Sequence, residues 1–117
     1  MRQAGIVAAA ALYALDHHVD RLAEDHARAR RLAEGLAGAG VPVEMDAVET
    51  NFIGIDVDAL GLSVDDARAR VAGEGVLVGF LRPGVLRVAT YLGITDEDVE
   101  RAAEIIPRAL VGAVARA

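Results

Sequence analysis

The sequence predicts an α+β domain: a small, mostly antiparallel sheet with helices on one face, entered through a long N-terminal helix. Three observations carry that prediction. A proline-free opening stretch, rich in alanine and leucine, repeats apolar residues at helical spacing. Short β-branched runs follow, punctuated by glycines and by Arg82-Pro83-Gly84. Ser63 and Thr95 each stand three residues before an aspartate, the pattern of a helix start.

Taken in order, Gln3 to about Ala37 reads as one helix. Leu12, Leu15, Val19, Leu22, Ala29, Ala33 and Leu36 recur three, four or seven apart and form one stripe. Asp16, Asp20, Arg21, Glu24, Arg28 and Arg31 take the opposite face, and Gly38 and Gly40 end the helix. Near its start the stripe dissolves. Ile6, Val7, Leu12, Tyr13 and Leu15 point all round the axis, so a second body, either further chain or a partner subunit, is expected to cover this end. Val41–Glu44 and Asn51–Val57 read as strands. Ser63, with Asp66, opens a helix to about Ala72, which Gly73 and Gly75 stop. Val76–Leu81 and Val85–Thr90 read as a strand pair joined by the Arg-Pro-Gly turn. Thr95, with Asp98, caps a last helix to about Val114, apolar through Val99, Ala102, Ala103, Ile106 and Leu110, with Pro107 a potential kink. The predicted order is α, β, β, α, β, β, α. Residues 1–37 form the connecting helix and residues 41–117 an α+β sandwich.

Composition narrows the chemistry. The 117 residues carry 12 basic and 18 acidic groups, a formal net charge of −6, and every basic residue is arginine. With neither lysine nor cysteine, the chain offers no Schiff-base amine, phosphate-loop lysine, thiolate nucleophile or cysteine metal site. An acidic balance with two tyrosines, two phenylalanines and no tryptophan argues against nucleic acid as a partner. The apolar run Ile6–Leu15 is too short to span a bilayer, which takes about 20 residues, and no leader pattern precedes it. A cytoplasmic protein with no membrane partner is expected. Hydrophobic residues make up 54%, above the roughly 45–50% of ordinary domains, and the excess is small side chains suited to close packing.

Four segments together resemble the low-specificity L-threonine aldolases. They are Met1-Arg2-Gln3-Ala4-Gly5, Arg21-Leu22-Ala23-Glu24-Asp25-His26, Thr50-Asn51-Phe52, and Leu86-Arg87-Val88-Ala89-Thr90 followed by Thr95-Asp96-Glu97-Asp98. They run in the family's order over essentially the whole chain. The resemblance implies a fold-type I enzyme dependent on pyridoxal phosphate, cleaving threonine-like β-hydroxy amino acids to glycine and an aldehyde. It also implies that this chain is the C-terminal small domain, and that the large domain bearing the coenzyme lysine, and the partner subunits of a homo-oligomer, lie outside it. Met1 then corresponds to an internal methionine, preceded in the family by glycines. Because only a lysine amine holds this coenzyme covalently, the chain alone is expected to be inactive.

Arg87 is the leading site candidate. It stands among Val85, Leu86, Val88 and Ala89, and its planar fork matches a carboxylate. The pattern leaves two readings open: a buried anion receptor, or an edge-strand arginine on the solvent face, since alternation separates it from Leu86 and Val88. The resemblance implies that it grips the substrate α-carboxylate. By the same resemblance Arg2, with Gln3, lies near the coenzyme; the sequence alone also fits a frayed terminus there. Arg82 reads as a solvated turn residue. Tyr91 and Gly93 depart from the family, where His and often Asp follow the strand threonine, so the local pocket differs.

The remaining candidates read as structural. His26 falls on the packing seam, and His17 and His18 point about 100° apart and cannot easily share a metal. Asp16, Asp20 and Glu24 form a solvated face, so no metal site is expected. Ser63, the only serine, caps a helix. Gly73-Glu74-Gly75 precedes a strand and is no phosphate loop. Two other functions fit the same residues: an autonomous module sensing a small carboxylate through Arg87, and a dimerisation domain whose long helix packs on a partner.

Overall fold

The computed structural model describes residues 2–114, with side-chain environments to residue 112; Met1 of the first motif and the expected domain end at 117 lie outside the described residues. Its elements are helices α1 (Ala4–His17), α2 (Leu22–Gly38), α3 (Val64–Gly73) and α4 (Asp96–Val114), with strands β1 (Phe52–Asp56), β2 (Gly79–Arg82) and β3 (Val85–Ala89). The α+β expectation holds. The expected single opening helix does not, because it breaks between His17 and Leu22. His17, His18, Val19 and Asp20 are four successive residues of low helix propensity. There the chain changes to tighter bonds, Arg21 N–H to His18 C=O (3.1 Å) and Leu22 N–H to Val19 C=O (3.1 Å). The His17 ring also donates to the Tyr13 carbonyl at 2.8 Å, one turn back within α1.

The break divides the apolar stripe. In α2, Ala29, Leu32, Ala33 and Leu36 are buried, whereas Leu12, Leu15, Val19 and Leu22 are exposed, and α1 buries none of its residues. α1 thus projects as a bare apolar rod, and the molecule extends 53 × 29 × 25 Å. The body expected to cover that end is not supplied by the described residues.

After the left-handed Gly40 (φ +86°), Val41–Glu44 makes one bridge, Val43 to Ile55, rather than the expected strand. Pro42 has no N–H to give a ladder, and the chain curls at once into a short 3₁₀ turn, Met45–Ala47. The sheet therefore has three strands, in the order β1-β3-β2, both pairings antiparallel. Ile53, Ile55, Leu86 and Val88 point to one face and meet Leu36, Val71, Ile106 and Leu110 from α2, α3 and α4. Fully burying each such aliphatic side chain contributes roughly 1.5–3 kcal/mol. α4 passes Pro107 without interruption.

Polar groups fix the helix ends as expected. Ser63 Oγ accepts from Asp66 N–H (3.1 Å), and Thr95 Oγ1 accepts from Asp98 N–H (3.2 Å) while Asp98 Oδ2 accepts from Thr95 N–H (3.0 Å). These bonds from Thr95, backbone first, lower the Asp98 pKa. Asp96, the first residue of α4, accepts from Arg28 Nε and Arg31 Nη2 of α2, both at 2.9 Å. The hydrogen bond from Arg28, then that from Arg31, holds the Asp96 carboxyl below its usual pKa, and the Asp96 bond raises that of Arg28. A carboxylate lowered by folding adds stability above its unfolded pKa of about 3.9 and loses that contribution as the pH falls through the lower folded value. Urea unfolding at a series of pH values should accordingly show a shallower loss of stability on acidification in Asp96→Asn than in the parent. Equal slopes in the two chains would remove Asp96 from the α2–α4 contact.

Candidate functional site

With helices on one face only, the sheet leaves its other face open around the central strand β3. Alternation gives Leu86 and Val88 to the core and Arg87 to the open face, where it is exposed. Arg87 is thus neither buried, as its apolar neighbours suggest, nor on an edge strand: it projects from the middle of an uncovered face.

Its neighbours explain how a guanidinium is accommodated there. In register with Arg87 stand Gly54 on β1 and Gly79 on β2, so neither flanking strand puts a side chain beside it. The guanidinium lies over Gly79, where an added Cβ would stand 3.1 Å from Nη2 and 3.2 Å from Nε. On the other side its Cζ is 5.2 Å from the centre of the Phe52 ring, a cation–π contact. No carboxylate forms an ion pair with Arg87 among the described residues. The fork is held by a ring and a bare strand, and its donors are left for an anion.

The other open-face charges are engaged. Arg82, expected as a solvated turn residue, is instead the last residue of β2 and pairs with Glu44. The Glu44 carboxylate lies over Gly54, in the space a Cβ would need.

Two of the quoted motifs are structural supports of this face. Thr90, buried just beyond β3, donates from Oγ1 to the Asp25 carbonyl of α2 at 2.6 Å. Its N–H donates to the Asn51 carbonyl (3.0 Å), and Asn51 Nδ2 donates back to the Thr90 carbonyl (2.7 Å). The end of the arginine strand is thereby tied to the start of β1 and to α2. These ties fix the register that separates Arg87 from its core neighbours.

Other candidates lie elsewhere. Arg2 is exposed in the turn before α1 and enters none of the ion pairs described. Tyr91, 59% exposed, lines a 280 Å³ groove on the helix side with Leu32, Val88, Asp98 and Ala102, and Arg87 is not part of that groove. His26 is half-buried on α2. Among the described residues no cluster could hold a metal ion, and no helix is long and apolar enough to cross a membrane. The residues present fit a carboxylate rather than a covalently held coenzyme, since the sequence has no lysine. Phe52, Gly54, Gly79 and Glu44 were not legible as site residues, because only strand register brings them to Arg87.

The chain matches the family model described as beta-eliminating lyase over residues 1–60. It is 38% identical over 101 residues to the low-specificity L-threonine aldolase 1 of Arabidopsis thaliana, covering 85% of this chain and 28% of that protein. It is 34% identical over 108 residues to the low specificity L-threonine aldolase of Escherichia coli (strain K12), covering 88% and 29%. The chain therefore spans under a third of the length of these relatives. Among solved structures, a Thermus thermophilus aspartate aminotransferase (tetra mutant 1) superposes with a TM-score of 0.58 at 23% identity, over 74% of this chain and 24% of that one. That likeness is one of fold.

The contact between Phe52 and Arg87 is measurable by itself. A double-mutant cycle of Phe52→Leu and Arg87→Met, followed by urea unfolding, should return a coupling of about 0.5–1 kcal/mol. Strict additivity would mean that the ring does not hold the guanidinium.

Proposed function

Because this chain belongs to the beta-eliminating lyase family, we propose that it is the small C-terminal domain of a pyridoxal phosphate-dependent lyase acting on threonine-like β-hydroxy amino acids. Arg87 is its receptor for the substrate α-carboxylate. The observation that carries the reading is the unpaired Arg87 fork on the open sheet face, set between Gly79 and Phe52. Likeness to two aldolases of this specificity supports the substrate class.

In this reading the lysine that holds the coenzyme comes from outside these 117 residues, since the sequence contains none. The coenzyme, when bound, supplies the electron sink that Cα–Cβ cleavage to glycine and an aldehyde requires. This chain binds and orients. A bidentate grip by Arg87 fixes the carboxylate end, restricts rotation at Cα, and converts binding energy into alignment of the bond to be broken. Arg2, exposed in the turn before α1, is assigned to the coenzyme's surroundings by the family resemblance. The exposed Ile6, Val7, Leu12, Tyr13 and Leu15 of α1 supply apolar area for contact with the large domain or a partner subunit of a homo-oligomer.

The test uses a protein that joins the lysine-bearing large domain to these residues. Charged hydrogen bonds contribute about 1.5–3 kcal/mol each, so Arg87→Ala should lower kcat/KM for L-threonine by a factor on the order of a hundred or more, with KM raised. A variant that keeps the parental kcat/KM would remove Arg87 from substrate binding. The 117-residue chain alone, with added pyridoxal phosphate and L-threonine, should release no aldehyde. Turnover by a preparation free of contaminating enzyme would overturn the domain assignment.

A further inference from the structure

An acid lies next to Arg87 and is kept from it. Glu44 N–H donates to the Gly54 carbonyl at 3.0 Å, which anchors Glu44 against β1, and its carboxylate lies over Gly54. Gly54 is the residue directly opposite Arg87. Neighbouring strands lie about 4.8 Å apart and paired Cβ positions about 5 Å, so this carboxylate is within the reach of an arginine side chain. Left to itself, it is an internal ligand for the substrate's receptor.

What holds it elsewhere is a strand irregularity. Gly79 pairs with Arg87 and Phe80 with Leu86, and regular pairing would then set Leu81 opposite Val85. The register shifts between Phe80 and Arg82, so Arg82 takes the place opposite Val85 and reaches the open face, where it binds Glu44. A bulge of this kind re-aims a side chain, here from leucine to arginine.

We propose that Arg82 is a positioning residue for the carboxylate site: by holding Glu44 over Gly54 it keeps Arg87 unpaired and open to an external carboxylate. Two arginines compete for one acid, and the pairing with Arg82 sets the receptive state. Without Arg82, Glu44 turns to Arg87 and the site occludes itself. The proposal rests on the assignment of Arg87 as a carboxylate receptor only where an external anion is involved.

The experiment uses the 117-residue chain labelled with ¹⁵N, following the Arg87 Hε–Nε resonance with sodium acetate as probe. Arg82→Gln should move that resonance in the absence of acetate, and Arg82→Gln with Glu44→Gln should return it to its parental position. Acetate binding should weaken roughly two- to fivefold in Arg82→Gln, the effect of one exposed ion pair, and recover in the double variant. Arg82→Lys, which keeps the charge, should behave as the parent. An Arg87 resonance that is unmoved by Arg82→Gln, or not restored by Glu44→Gln, would overturn the proposal. If the parent shows no response to acetate, the carboxylate assignment falls, while the resonance arm, which involves no ligand, still decides whether Arg82 restrains Glu44.

Discussion

The structure depends on the register of one strand. β3 is central, and its alternation sorts Leu86 and Val88 into the core and Arg87 onto the open face. A slip of one residue would bury a guanidinium and expose two aliphatic side chains, which no other contact in a domain of this size could offset. Both ends of β3 are accordingly fixed. Pro83-Gly84, with Gly84 at φ +75°, turns the chain into it, and the reciprocal Asn51–Thr90 bonds, extended to the Asp25 carbonyl, hold it at its exit. These ties lie within two of the motif segments, Thr50-Asn51-Phe52 and Leu86-Arg87-Val88-Ala89-Thr90. The polar bonds set the register, and the register presents the arginine.

Much of the architecture was legible from local physics. Ser63 with Asp66 and Thr95 with Asp98 cap helices as their spacing implies, and the apolar positions of α4 are the buried ones. The misreadings have definite causes. The helical stripe continues across His17–Asp20, so periodicity alone joins α1 to α2, while four poor helix formers in succession break them. Val41–Glu44 has strand composition, but Pro42 removes the donor that a ladder needs. At the site, Arg87 stood out through its own neighbours in sequence. Gly54, Gly79 and Phe52 lie 8 to 35 positions away from it and come beside it only through strand pairing, and Glu44 comes near only by lying over Gly54, none of which spacing encodes.

Arginine chemistry runs through the whole domain, because no lysine is present to share the positive charge. Arg28 and Arg31 converge on Asp96, Arg30 pairs with Glu34, Arg82 with Glu44 and Arg108 with Glu74. Exposed pairs of this sort stabilise by little individually, a few tenths to about 1 kcal/mol. Their larger effect is to occupy acids. Arg87 enters none of these pairs: Glu44, the acid over the opposing Gly54, is held by Arg82, and both flanking strands present glycine.

The two unfinished surfaces of the domain differ in kind. α1 is apolar on every side and asks for a dry, non-directional contact, which the hydrophobic effect supplies wherever a large complementary surface is near. The open sheet face asks for something directional: a planar anion facing a planar cation. Lysine would not serve equally there, because a compact ammonium cannot lie flat between a phenyl ring and a bare strand while offering two parallel donors. In the proposed function the domain has two separable tasks, adhesion through α1 and recognition through Arg87, and the break at His18–Arg21 divides the exposed helix from the packed body that carries the arginine. A rigid sheet holding the arginine, joined through a short turn to a helix that adheres, lets the receptor keep its geometry whatever α1 packs against.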